Sequence, residues 1–161
     1  MFAPLCYPPA GSEAIVTSKL LLAMIDAGWK VDVISQGDFG QYYPMNPNGT
    51  WKPLEKIIHN INGINLGKGR LSSLVRTASW VWKAFATAQR LASQKKYDFI
   101  LSRATPQYGH LPALLLAKEL RIPWILNWSD PMPPRKAPPP YGLGPSAHLP
   151  FYLRKYYSEI L

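Results

Sequence analysis

The apolar residues of this chain fall in short runs separated by turn residues, and the runs alternate between strand-like and helix-like spacing. Residues 2–6 form an apolar stretch that meets Tyr7-Pro8-Pro9-Ala10-Gly11-Ser12-Glu13 and reads as a strand entering a tight loop. Two prolines stop the strand, Gly11 turns the backbone with no Cβ in the way, and Ser12 is placed to cap the helix that follows. That helix ends near Gly28-Trp29, and Val31-Asp32-Val33-Ile34-Ser35 is the next strand. Residues 36–51, rich in Gly, Pro and Asn, predict a long loop, and residues 54–60 a short strand. A long helix over about 71–94, a buried strand at 97–102, a helix near 109–120, a strand at 123–127 and a final helix at 149–161 complete the reading.

Strands alternating with helices predict an α/β fold, with a parallel sheet and helices on both faces. Such sheets bind ligands beyond the carboxyl ends of their strands. The loops at 7–13, 36 onward, 103–110 and 128 onward are therefore the candidate sites. The first of them leads into a helix N-terminus, where backbone amides suit a phosphate or a sugar hydroxyl; a plain crossover whose glycine serves only the turn has the same pattern.

Along the long helix, an angular count of about 100° per residue gathers Leu71, Leu74, Val75, Ala78, Trp82 and Phe85 on one side, predicted to pack on the sheet. Arg76, Trp80, Lys83, Thr87 and Arg90 fall opposite. A tryptophan in a basic stripe predicts a surface that meets a partner: either an anionic bilayer interface or a covering segment of protein.

Composition narrows the class. The chain has 161 residues, 47% hydrophobic and 17% charged, which suits one globular domain rather than a disordered tail. The lone Cys6 and the lack of a basic-then-apolar leader pattern predict a reducing, cytoplasmic setting, peripheral at the inner face of a membrane if the basic helix meets lipid. Charge is uneven: 18 Lys plus Arg stand against 9 Asp plus Glu, yet no acid occurs between Glu55 and Asp98. Lys56, Lys68, Arg70, Arg76, Lys83, Arg90, Lys95 and Lys96 all lie there, a field that attracts phosphates. His59, His110 and His148 have no metal-ligand spacing, so no metal is expected. Residues 131–150 hold eight of the 17 prolines and read as a semi-rigid rim loop. Pro131 to Lys136 and Pro138-Pro139-Pro140-Tyr141 match short proline-ligand motifs that are common by chance.

Two segments carry a family resemblance. The first is the opening loop with its helix ending at Gly28-Trp29. The second is Tyr97-Asp98-Phe99-Ile100-Leu101-Ser102-Arg103-Ala104-Thr105-Pro106, then His110, then Ile122-Pro123-Trp124-Ile125-Leu126-Asn127-Trp128-Ser129-Asp130-Pro131. In this order the chain resembles the amino-terminal domain of family 4-like glycosyltransferases of the GT-B fold, over residues 2 to about 131. The resemblance implies a Rossmann-like domain, half of an enzyme that moves a sugar from a nucleotide-diphosphate sugar to a glycan or lipid-linked acceptor hydroxyl with retention, without a resident cofactor. It implies that the donor domain with paired glutamates is absent from residues 1–161, where Glu159 is the only acid after Asp130, and that the chain alone does not turn over.

Carried over residue by residue, Gly11 and Ser12 match the loop that approaches the donor phosphates, with Ala10 departing from the usual double glycine. Glu13 stands where it can accept an acceptor hydroxyl or complement the helix dipole. His110 matches a histidine near the sugar, or is a helix-start histidine satisfied locally. Arg103 stands to pair a phosphate or anchor Asp130, and Asp130 to bind the acceptor or open a loop before proline. Met132, Asn127 and Ser129 depart from the family's pattern around Asp130. Two other classes remain: a stand-alone Rossmann-like nucleotide or sugar-binding module, and a basic nucleic-acid binder. No recognised nucleic-acid module signature accompanies the basic segment, so nucleic acid is not the expected partner.

Overall fold

A computed structural model describes residues 1–7, 11–37, 49–104 and 106–128 of the chain. Its elements run α1 (Ser12–Asp26), β1 (Val33–Gln36), α2 (Lys52–Glu55), β2 (Ile58–Ile61), α3 (Arg70–Gln94), β3 (Ile100–Ala104), a 3-10 turn (Gln107–Gly109), α4 (His110–Leu120) and β4 (Trp124–Trp128). The fold is mixed α/β, with short two-stranded sheets. β1 and β2 pair in parallel from Val33 opposite Ile58 to Gln36 opposite Ile61, and β3 pairs with β4.

The predicted strand at 2–6 shrinks to a single bridging residue, because Pro4 has no N–H to extend a ladder. That residue nevertheless joins the two sheets. Phe2 bridges both Ile34 and Ser102; its N–H donates to the Leu101 carbonyl at 2.8 Å, and its carbonyl accepts from Arg103 at 2.9 Å. On the other side Ala3 donates to Ile34, and the Pro4 carbonyl accepts from Gln36, both at 3.0 Å. The order across the layer is therefore β2, β1, the Phe2 segment, β3, β4. The predicted strand at 54–60 splits, since Pro53 suits the first turn of α2, and β2 starts only at Ile58.

Alternating side chains feed two cores. Phe2 and Ile34 join Trp80, Ala84, Ala88 and Leu91 of α3 and Ala113, Leu116 and Ala117 of α4; Ala3 and Val33 join Leu21 of α1 and Leu54 of α2. Successive strand residues point to opposite faces, so helices cover both sides of the strand layer.

The face of α3 corrects the angular count. Trp80 is fully buried, whereas Leu71, Leu74 and Trp82 are 72%, 68% and 70% exposed. Ala84 and Ala88, one turn apart, bring the helix axis close to the layer, and Trp80 fills the space beside them edge-on to Tyr108 at 5.4 Å. The Arg76–Arg90 stripe is consequently not an open aromatic-basic surface. Lys83 Nζ donates to the Asn62 carbonyl at 3.0 Å, and Ile64 N–H donates to Ser79 Oγ at 2.7 Å. Gly63 lies so close that a Cβ there would sit 2.3 Å from the Arg76 carbonyl oxygen. The segment after β2 lies along that side of the helix, and of the stripe's basic residues Arg76 is half-buried while Lys83 and Arg90 stay exposed.

The helix orientation makes an asymmetric expectation. Trp80→Ala should cost about 3–5 kcal/mol through the cavity it leaves, while Trp82→Ala should stay within about 0.5 kcal/mol. Urea denaturation of the two variants checks this; equal losses would return the helix to the opposite face.

Candidate functional site

One ion pair joins the first turn of α1 to the carboxyl end of β3. Arg103, at the end of β3, donates to Glu13 Oε1 from Nη2 at 2.8 Å and from Nε at 3.3 Å. Their side chains are 7% and 17% exposed, which shields the pair from solvent screening. Two residues that the sequence offered separately, each as a ligand contact or a structural residue, thus form one unit, and Arg103 is held by Glu13. The guanidinium carries five N–H donors, of which this pair engages two.

Above the pair lies the start of α1. Ser12 is the first helical residue rather than its cap, Gly11 takes the N-cap position, and no side chain caps the helix among the described residues. No described side chain takes the first-turn amides, which suit water or a ligand. Gly11 is extended at φ −176°, a conformation open to any residue, and a Cβ built on it meets nothing within 4 Å. Neither the backbone nor packing against the described residues demands glycine there; what the missing side chain provides is room over the helix N-terminus among those residues. Glu13 sits in the first turn, where its charge complements the dipole. Beneath the loop, burial pushes the Cys6 thiol up to about 11, so it is a protonated packing residue rather than a nucleophile.

His110 opens α4 but points into the protein. It is fully buried, its Nδ1 lies 2.8 Å from Ser102 Oγ, and Trp124 Nε1 donates to the same hydroxyl at 2.7 Å. Burial lowers its pKa to about 4, so the imidazole is neutral at physiological pH. The structure places it as an internal tie between β3, α4 and β4 rather than at an open cleft. Gly109 lets α4 begin against Pro4: a Cβ there would lie 2.6 Å from the proline ring. Asp130 and Ala10 lie outside the described residues.

At the opposite ends of the strands is a polar cluster that the sequence patterns did not single out. Asp32 accepts from Lys95 Nζ at 2.6 Å and Tyr97 Oη at 2.8 Å, and contacts His59 Nε2 at 3.2 Å. Burial opposes its ionisation, but the Lys95, Tyr97 and His59 contacts outweigh burial and lower its pKa. The available signal was the lone acid between valines at the start of a buried strand. Among the described residues no group of His, Cys, Asp and Glu side chains comes together to hold a metal ion. No described helix is long and apolar enough to cross a membrane.

Two measurements probe this geometry. Arg103→Leu leaves Glu13 partly buried without its cation and should cost about 1–3 kcal/mol, whereas Glu13→Leu combined with Arg103→Leu should cost less than the single change. Denaturant titration of the three proteins decides it. For His110, a folded pKa near 4 against 6.5 means that the unfolded state binds the extra proton first. Stability should therefore fall as pH drops from 6.5 towards 4 and level off below, while the contribution of Asp32 is lost only below its ordinary 3.8. His110→Asn should reduce the slope between pH 6.5 and 4 in a pH series of unfolding curves, leaving the part that the buried Met1 amino group contributes above pH 5 and the loss below 3.8. No protein-family model, curated protein or solved structure matches the chain.

Proposed function

We propose that this chain is the amino-terminal, acceptor-side domain of a retaining glycosyltransferase with GT-B architecture. The observation that carries the reading is the junction of the N-terminus of α1, which no described side chain caps, with the Arg103–Glu13 pair, at the point where the strand order reverses. The chain leaves the Phe2 segment for β1 on one side and later places β3 on the other. In a Rossmann-like sheet that reversal is where ligands bind.

In this reading the α1 amides face the diphosphate of a nucleotide-sugar donor, and Glu13, held by Arg103, accepts a hydrogen bond from the acceptor hydroxyl. The work of the site is positioning and stabilisation of charge on the departing diphosphate; no protein nucleophile is required. A second, donor-binding domain supplies the remaining contacts, so affinity at this half-site is expected in the millimolar range.

Amide chemical shifts of the labelled chain, titrated with nucleotide-diphosphate sugars and simple glycosides, test the proposal. Movement of the Gly11 and Ser12 amides is expected, and Gly11→Val, whose Cβ meets no described atom within 4 Å, should abolish it without lowering the thermal midpoint. Unmoved Gly11 and Ser12 amides across the panel at millimolar concentration would overturn the reading. Tight binding without a second domain would favour a stand-alone sugar-nucleotide module.

A further inference from the structure

The other end of the strands carries a second feature, independent of the sugar-transfer reading. Three connections converge there: the turn after α1, the helix α2, and the turn between α3 and β3. Together they enclose a depression of about 1060 Å³ whose lining includes Lys30, Lys52, Lys56, Lys95 and Lys96 around a single carboxylate, Asp32. Asp32 is committed to Lys95, and among the described residues Lys30, Lys52, Lys56 and Lys96 are in no ion pair. The four remaining ammonium groups are exposed. Their charges have no partner within the described protein.

The local backbone builds this end deliberately. Gly28, at φ +82°, closes α1 with Trp29 N–H donating to Met24 and Gly28 N–H to Ile25, both at 2.9 Å. This pairing is a left-handed helix stop that glycine favours. It turns Trp29 outward, half exposed and edge-on to Phe99 at 5.5 Å, beside Lys30. Ile25 and Ile57 contribute apolar surface to the same depression. An adjoining hollow of about 520 Å³ shares Trp29, Lys30, Asp32 and Lys96.

The chemistry is a cationic rim over an apolar wall with an exposed indole. Lysines without arginine supply mobile point charges rather than a rigid fork, which suits a field of phosphates more than one oriented anion. Exposed tryptophan beside lysine is the arrangement that sits at the headgroup level of a bilayer, and clustered lysines add attraction to an anionic leaflet. We propose that this lysine-lined depression binds the phosphate headgroups of anionic lipids, holding the strand N-termini against a membrane and turning the Gly11–Arg103 end away from it. The membrane contact thereby moves from the long helix, where Trp80 is buried, to this end.

Vesicle co-sedimentation of the full chain tests the proposal, using phosphatidylglycerol–phosphatidylcholine vesicles against pure phosphatidylcholine. Binding to the anionic vesicles alone is expected, and Lys52→Glu combined with Lys56→Glu should weaken it by about tenfold or more. The control, Lys68→Glu combined with Arg70→Glu, changes net charge equally at the far end of α3 and should alter binding by no more than about twofold. Equal loss in both double variants would show a general charge effect and overturn the site, as would equal binding to neutral vesicles. Binding of inorganic pyrophosphate or duplex DNA in place of vesicles would also overturn it. All four substituted residues are exposed, and unchanged thermal unfolding confirms that each variant is folded.

Discussion

The structure depends on three residues near the start of the chain. Phe2, Ala3 and Pro4 lie between β1 and β3, and their backbone groups satisfy both neighbours. Without that segment the described strands would be two separate pairs, each with an open edge and too narrow to hold a core of its own. The contact is also chemically economical. Pro4 cannot donate, yet its carbonyl accepts from Gln36 N–H and from Ser35 Oγ, so the ladder ends there without leaving the acceptor unpaired. Phe2 and Ala3 send their side chains to opposite cores, which makes this segment the hinge on which both helical layers are hung.

From that centre the molecule develops two chemically different ends. At the carboxyl ends of the strands, the described polar groups engage one another: Arg103 holds Glu13, Ser102 joins His110 and Trp124, and Tyr108 hydrogen-bonds Gln36. Among the described residues, no side chain there caps the N-terminus of α1. At the amino ends the reverse holds. Asp32 gathers Lys95, Tyr97 and His59, and the neighbouring lysines face outward. An end that offers amides suits a small oriented ligand, whereas an end that offers mobile charge suits an extended anionic surface.

The long helix mediates between the ends through size rather than polarity. Ala84 and Ala88 allow close approach to the strands, and Trp80 and Leu91 fill the margins. The larger residues Leu74, Trp82 and Phe85, with Leu111 and Leu115 of α4, border an apolar groove of about 350 Å³ on the outside. A helix with apolar residues on more than one side presents two plausible faces to a reader of its periodicity, and packing depth selects between them.

Much was legible in the chain itself. The order of elements follows from local rules, since runs of β-branched residues, helical spacing, prolines and glycines act over only a few neighbours. The loops at strand ends and the acid-free basic stretch were visible for the same reason. Residues such as Glu13 and Arg103 were recognisable as candidates, but that they meet each other, ninety positions apart, was not. Nor was the burial of His110 and Trp80, or the gathering of lysines from three separate connections into one depression. Those outcomes rest on which surfaces the strand layer offers once Phe2 has joined its halves. Periodicity states that a residue has a face; only the tertiary structure decides what stands opposite it.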